Sequence, residues 1–396
     1  MKTLLTVLLV SLISSFGGGD DPRPNDPTTD PYTEGGSEQL LKAAGYVSMG
    51  GFEFSMTDTA GIDAFMATSD IRWIETEHFQ LGFALGSYKV RQADKKKIRA
   101  ELTELALKLP SVKPKSKILD PWVRAHLYAQ RLEHTWDDFL ALAQVEASEF
   151  PDGTKGWDLT GTYMGEGPYL GQKGKYEVLI LPSEAASASF LKQQFGLSIK
   201  KTQRWNVIPR DTLVLVTHIG QGSFKLDSAL HGHLTFNLAI NFLDGYKHYS
   251  YESAIWLREG LGHFMERKID PRYNTFDSSE GSLAEMTKKS DWQAETKKMV
   301  RGDKAPRMAE LINLKSYGEL ELEHHFATWS MVDFLVETRP KEFATFLGTI
   351  KGRTDSKGYA LATDLKGAHR DAFKSVFNWN YSQFDKAWVA WVSETY

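Results

Sequence analysis

Hydrophobic and polar residues follow two different periods along the chain. In the first half, short apolar runs bounded by turn residues predict buried strands at 176–181 (YEVLIL) and 212–217 (TLVLVT). The aromatic and branched residues of 71–83 predict another strand. From residue 226 onward the apolar spacing is almost entirely helical, down to an amphipathic segment at 384–392. Strands followed by helices predict an α+β fold.

Helical spacing also occurs between the predicted strands, and it divides the chain into regions. We expect an α/β region over 38–270 and a helical C-terminal lobe over 271–396. The helices predicted within the first region before residue 226 are 40–46, 57–68, 92–108, 121–130, 135–147 and 184–194.

The N-terminal residues differ in composition from the rest. A lysine at position 2 and the apolar run Leu4–Phe16 are typical of a secretory signal peptide, with cleavage expected after Gly17, and the run is too short to span a bilayer. Residues 18–37 are rich in Gly, Pro and Asp and predict a disordered linker. We therefore expect a secreted protein, extracellular, cell-surface or periplasmic, with no membrane span.

Charge and cysteine content narrow the classes of function. The chain has 47 Lys and Arg against 51 Asp and Glu, a net charge of −4, which argues against a nucleic-acid partner. It has no Cys, so disulfides, thiolate nucleophiles and Cys-ligated metals are excluded. Any metal must be held by His, carboxylates or amides. The sequence also lacks the Gly-x-Ser-x-Gly and phosphate-loop motifs.

A polar stripe interrupts the predicted helix over 226–243, which is otherwise apolar nearly all round. His233, Asn237 and Asn241 recur every four residues, and this spacing places them on one helical face. Polar side chains on a buried helix need partners, so the stripe predicts a polar site inside the protein.

A second segment, 256–266, carries the complementary chemistry. Glu259 and His263 are four residues apart on one helical face, and Glu266 falls one turn further on. A turn through Asp244 and Gly245 allows this helix to return alongside the first. We therefore expect the two polar faces to meet.

The segment Trp256-Leu-Arg-Glu-Gly-Leu-Gly262 resembles the second motif of the gluzincin, or peptidase MA-like, zinc metallopeptidases. Weaker similarities to the opening strand and later helices of that family occur at 75–79, 326–335, 372–377 and 384–391. The resemblance implies a thermolysin-like fold, in which a small mixed sheet, two motif helices and a helical lobe enclose a peptide cleft. In that family a His-Glu-x-x-His helix supplies two zinc ligands and the general base, and the second motif supplies the third ligand.

The first motif departs from the family pattern. The resemblance places His233 at the first ligand, Leu234 at the general base, Asn237 at the second ligand and Glu259 at the third. Without a carboxylate at Leu234, no group there takes a proton from a metal-bound water, and an amide is a poor zinc ligand. The sequence therefore predicts an inactive pseudopeptidase without a metal, which binds a peptide or protein in a cleft that includes Asn241 and Glu266.

Two alternatives remain open. The first is a divergent zinc-dependent peptidase or hydrolase that uses His233, Glu259 and His263 as ligands, with Asn237 as a weak fourth contact. Its base would come from Glu266, Glu252 or a histidine. The second is an exported structural protein whose polar stripe is satisfied by internal hydrogen bonds. His324 and His325 are expected to be capping or surface residues, because adjacent helical side chains point in different directions.

Overall fold

The structure is a computed structural model that describes residues 25–67, 69–153, 162–220, 222–276, 282–286 and 289–396. The predicted signal peptide, 1–17, lies outside these residues. The helices are α1 (Glu38–Ala44), α2 (Thr59–Phe65), α3 (Lys95–Lys108), α4 (Pro121–Ala143), α5 (Glu184–Phe195), α6 (Asp227–Gly245), α7 (Ile255–Glu266), α8 (Trp292–Arg301), α9 (Met308–Leu311), α10 (Leu322–Thr338), α11 (Pro340–Lys351), α12 (Leu365–Ala372) and α13 (Tyr381–Thr395). In the described ranges, no helix has the length and hydropathy needed to cross a membrane.

In the described ranges the strands form one mixed sheet of six strands and three two-stranded sheets. They are β1 (Tyr46–Ser48), β2 (Glu53–Phe54), β3 (Thr57–Asp58), β4 (Arg72–Thr76), β5 (Phe79–Phe83), β6 (Tyr88–Lys89), β7 (Ile118–Leu119), β8 (Tyr176–Leu181), β9 (Gln203–Val207), β10 (Thr212–His218), β11 (Tyr273–Phe276) and β12 (Ser282–Glu285). The six-stranded sheet has the order β1-β4-β5-β8-β10-β9, with β8 parallel to both its neighbours and the other pairs antiparallel. The two-stranded sheets are β2–β3, β6–β7 and β11–β12. The predicted α+β class is confirmed.

The central strand β8 is buried on both faces. Val178 and Ile180 belong to the large core that also contains apolar residues of α4 and α6, whereas Leu179 and Leu181 pack with Phe190 of α5 on the other face. Such alternation is expected of a strand, because successive side chains point to opposite faces of a sheet. Helix α6 is therefore held directly against the sheet.

Several elements differ from those that the sequence predicts. Residues 71–83 form two strands, β4 and β5, because the chain turns at Glu77 and His78, where Glu133 of α4 binds the main chain and ring of His78. The two helices expected over 121–147 are one helix, α4. Edge strand β9 is missed because its sequence, QRWNV, is mostly polar, and the hairpin β11–β12 interrupts the helical half.

The segment predicted as a disordered linker is ordered where the structure describes it, from residue 25 onward. Asp30 is buried and lies 3.1 Å from Nε2 of His126 on α4, and it also accepts a hydrogen bond from Thr33 at 2.6 Å. Tyr32 donates to Asp120, the N-cap residue of α4. Composition alone predicts too little apolar burial for order, but these specific polar contacts fix the segment on α4.

Helix α7 is packed closely between α6 and α10, and two glycines make this approach feasible. A Cβ atom on Gly262 would lie 2.7 Å from the ring of Phe236 on α6, and one on Gly260 would lie 2.5 Å from the carbonyl oxygen of Thr328 on α10. No side chain fits at either distance. The helix that carries the second motif therefore touches both neighbours through its main chain.

Candidate functional site

The first member of the polar stripe, His233, is completely buried and has a hydroxyl partner on each ring nitrogen. Its Nε2 lies 2.8 Å from Oγ1 of Thr202, before β9, and its Nδ1 lies 3.1 Å from Oγ1 of Thr275 on β11. Burial lowers the pKa of His233 to about 3, and the charge of Arg204 acts in the same direction. His233 is therefore a neutral, hydrogen-bonded residue that ties α6 to β11 and to the residue that precedes β9.

The second member, Asn237, is also saturated. Its amide NH₂ donates to the carbonyl oxygen of His233 at 2.8 Å, and its Oδ1 accepts a hydrogen bond from Arg204 at 2.6 Å. Leu234, at the position of the family's general base, is fully buried in the main core with Leu230 and Leu238. This face of α6 is thus apolar, and no carboxylate of α6 replaces the base.

A second polar group lies between α7 and α10. Nε2 of His263 and Nδ1 of His325 are 3.0 Å apart, and Oε2 of Glu259 lies 3.4 Å from the first nitrogen and 3.0 Å from the second. Both helices carry these residues on the faces that they turn toward each other. All three side chains are buried, with His325 only 3% exposed. They form the one group of potential metal ligands found among the described residues.

Glu266 completes this group from one turn further along α7. Its Oε1 lies 2.6 Å from Nδ1 of His263, and its two oxygens accept hydrogen bonds from the main-chain N–H of Thr275 at 3.1 and 3.0 Å. Burial acts to lower the pKa of His263, but Glu259 and Glu266 outweigh it and raise this pKa above its usual value. Burial lowers the pKa of His325.

The structure thus brings together part of the predicted site. Glu259, His263 and Glu266 lie in one group, whereas His233 and Asn237 belong to the neighbouring hydrogen-bonded network. Glu252, proposed as one source of a base, is exposed in the loop between α6 and α7.

His325 is buried in the ligand group, contrary to the expectation of a capping or surface residue. His324 does cap α10, because its Nδ1 accepts a hydrogen bond from the main-chain N–H of Glu321. No local sequence pattern distinguished His325 from its neighbour. Its partners lie more than sixty positions away, so only the packing of α10 on α7 identifies it.

A pocket lies beside the stripe, between the edge strand β9 and the ends of α6 and α7. Residues 202–206 form one wall, and the pocket has a volume of about 220 Å³ and is partly open to solvent. Asn241, the third member of the stripe, lines it and is 1% exposed, and neither its amide nitrogen nor its oxygen has a hydrogen-bond partner in the described part of the chain. The other walls include Asp244, Tyr249, Tyr251, Arg258 and Tyr317.

The charged residues of the pocket are held by neighbours. Arg258 pairs with Asp244 at 3.0 Å, and its guanidinium also donates to the carbonyl oxygen of Tyr251. Arg204 reaches Asn237, as described above. Two arginines and one aspartate therefore give the lining an excess of positive charge.

Comparisons with protein-family models, with curated proteins and with solved structures find no match to this chain. The contacts described above are therefore the basis for a functional assignment.

Proposed function

We propose that the protein binds an extended peptide segment in the pocket between β9 and α7 and does not hydrolyse it. The observation that carries this proposal is Asn241, a residue of the pocket lining whose buried amide nitrogen and oxygen have no hydrogen-bond partner among the described residues. A buried polar group without a partner costs about 1–3 kcal/mol. A peptide main chain, with one donor and one acceptor per residue, satisfies an amide of this kind.

The position of β9 supports an extended ligand. It is the last strand of the sheet, and it pairs with β10 alone among the described strands. An edge strand presents unpaired main-chain groups, to which an extended peptide adds as a further strand. Four of the five residues of this strand, 203–206, line the pocket, together with Thr202 before it.

The side chains of the pocket favour one kind of peptide. Three tyrosines, Tyr249, Tyr251 and Tyr317, offer amphipathic contact surfaces, which are enriched where proteins bind each other. The excess of arginine over aspartate favours an acidic side chain or a free peptide carboxylate. We therefore propose an acidic peptide or the C-terminal segment of a protein as the ligand.

The absence of hydrolysis follows from Leu234 and Asn237. Leu234 is packed in the core, and the oxygen of Asn237 is occupied by Arg204. Neither residue supplies a proton acceptor or a metal ligand. The order of a mixed sheet, then α6 and α7 packed together, then helices agrees with a gluzincin-like fold, which we propose on the resemblance. The role of a secreted or envelope pseudopeptidase rests on the same resemblance.

The experiment is a binding screen with the full chain against short random peptides that have free carboxyl termini. We expect the selected peptides to be enriched in acidic residues or to bind through their C-terminus, and to be recovered uncleaved by mass spectrometry. Asn241→Leu should lose binding at least tenfold, because leucine fills the space without the amide. Asn313→Leu, an exposed site after α9, is the matched control.

Two outcomes contradict the proposal. One is a screen in which the native protein retains no peptide above the level of Asn241→Leu. The other is cleavage of the bound peptides, which would favour a divergent hydrolase.

A further inference from the structure

The group between α7 and α10 has the dimensions of an ion-binding site. Zinc bonds to imidazole nitrogen and carboxylate oxygen are about 2.0–2.2 Å long, so ligand atoms around a tetrahedral ion lie roughly 3.3–3.5 Å from each other. The three distances among Glu259 Oε2, His263 Nε2 and His325 Nδ1 are 3.0, 3.0 and 3.4 Å. The atoms are therefore already close to this arrangement.

Both oxygens of Glu259 are buried and receive no hydrogen bond of acceptable geometry from the described residues. The nearest nitrogen, Nδ1 of His325, is within 3.0 Å, but its direction is not that of a hydrogen bond. A buried carboxylate is costly unless it is hydrogen-bonded or binds a cation. This carboxylate needs a positive partner that its neighbours supply only in part.

Glu266 holds the ring of His263 in an orientation that suits a metal ligand. Its carboxylate lies 2.6 Å from Nδ1 of His263, and a ring that donates from Nδ1 to this carboxylate presents the lone pair of Nε2 to Glu259 and His325. Carboxylates in this position orient metal-binding histidines and strengthen them as ligands. Glu266 is itself held by the main-chain N–H of Thr275.

We propose that Glu259, His263 and His325 bind a zinc ion, with Glu266 as the outer carboxylate. Two imidazoles and one carboxylate favour zinc over magnesium or calcium, which prefer oxygen ligands. The set differs from the one that the family resemblance implies, because His263 of α7 and His325 of α10 take the places of His233 and Asn237 of α6. The ion stabilises the contact between α7 and α10, and none of its ligands lines the peptide pocket.

The experiment measures metal content and ligand identity in protein purified without a His tag. Full-length protein is freed of metal with a chelator, supplied with zinc and dialysed, and we expect about one zinc per chain. Zinc should also raise the unfolding temperature, because binding to the folded state stabilises it. X-ray absorption of the zinc-loaded native protein should show two imidazole ligands.

Three variants identify the ligands. His325→Gln should reduce zinc to background, while His324→Gln, its sequence neighbour, should retain it, because glutamine keeps the capping box of α10. His233→Gln should also retain zinc. If His233→Gln retains zinc and His325→Gln loses it, the ligands are the set proposed here and not the set that includes His233.

The proposal is overturned if the native protein binds no zinc, if His325→Gln retains it, or if His233→Gln loses it while remaining folded. If His325→Gln does not fold, the zinc content and the absorption spectrum of the native protein still test the proposal. An absorption spectrum with fewer or more than two imidazoles, or a chelator that leaves the unfolding temperature unchanged, excludes the site. Peptide binding is measured separately, so each proposal can fail without the other.

Discussion

The main-chain N–H of Thr275 donates to both carboxylate oxygens of the buried Glu266, and through this contact β11 is attached to α7. The hydroxyl of the same residue lies 3.1 Å from Nδ1 of His233. Thr275 therefore joins the network of the α6 stripe to the ligand group. The two polar groups predicted as a single site are neighbours with one shared residue.

The two roles of Thr275 can be separated by Thr275→Val, which keeps the main-chain N–H and the shape but removes the hydroxyl. His233 would then lack one partner in a fully buried position. We expect the free energy of unfolding to fall by about 1–3 kcal/mol, measured by urea denaturation. Zinc content should stay unchanged. Thr349→Val, on the exposed face of α11, is the control, and loss of zinc would contradict the separation.

Asn241→Leu should leave the protein at least as stable as the native chain. The native amide is buried with no hydrogen-bond partner among the described residues, so an apolar side chain of similar size removes a desolvation cost. We expect a gain of about 1 kcal/mol in urea denaturation. A stable variant that no longer binds peptide indicates that Asn241 is retained for function. A marked loss of stability would mean that the amide has structural partners.

Gly260 of α7 and Gly232 of α6 provide a matched pair of glycine-to-alanine substitutions. Gly260→Ala places a methyl group 2.5 Å from the carbonyl oxygen of Thr328, so α7 and α10 must separate. We expect a loss of about 1–3 kcal/mol and weaker zinc binding. Gly232→Ala on α6 meets its nearest atom at 3.8 Å and should gain up to about 1 kcal/mol, because alanine is the better helix former. Equal effects of the two substitutions would contradict the packing described here.

His369 of α12 should make the protein sensitive to acid. Nε2 of His369 accepts a hydrogen bond from the indole N–H of Trp256 at 2.8 Å, and burial lowers the pKa of the ring to about 3. In the unfolded chain a histidine titrates near 6.5. As the pH falls from 6.5 toward 3, the unfolded chain takes up a proton that the folded chain does not, and the free energy of unfolding decreases.

The measurement is the slope of unfolding free energy against pH between about 4 and 6 for the native protein and His369→Gln. Glutamine also accepts from Trp256 but does not titrate, so its slope should be smaller by about 1.4 kcal/mol per pH unit, the effect of one proton. Other buried histidines leave a residual slope in both proteins. Identical slopes for His369→Gln and the native chain would refute the assignment.

Local patterns predicted the elements that are most periodic. The apolar runs of β8 and β10 and the four-residue spacing on α6 and α7 each depend on neighbours along the chain, and these elements are where they were expected. Strand β9 was not predicted because its sequence is mostly polar. A strand at the edge of a sheet is partly exposed to solvent and does not need an apolar run. The turn at His78 was not predicted because it is stabilised by Glu133 of α4, a residue far along the chain.

The candidate site was predicted only in part, because local spacing places residues of one helix together but does not identify a residue that another helix contributes. Glu259, His263 and Glu266 share one helix, so their spacing alone placed them together. His325 joins them only when α10 docks on α7, a contact that no single-sequence pattern encodes. The order in residues 25–37 likewise depends on His126 of α4, which lies far along the chain from Asp30.

The two glycines of α7 also restrict how this helix can move. Residues two positions apart point about 200° away from each other on a helix, so Gly260 and Gly262 meet α10 and α6 on nearly opposite sides. Sliding α7 by one residue along its axis would drive Glu259, Leu261 or His263 into a gap that admits only hydrogen. The helix therefore has a single register between its neighbours, and the level of Glu259 and His263 relative to His325 is set by the backbone, whichever ligand is present.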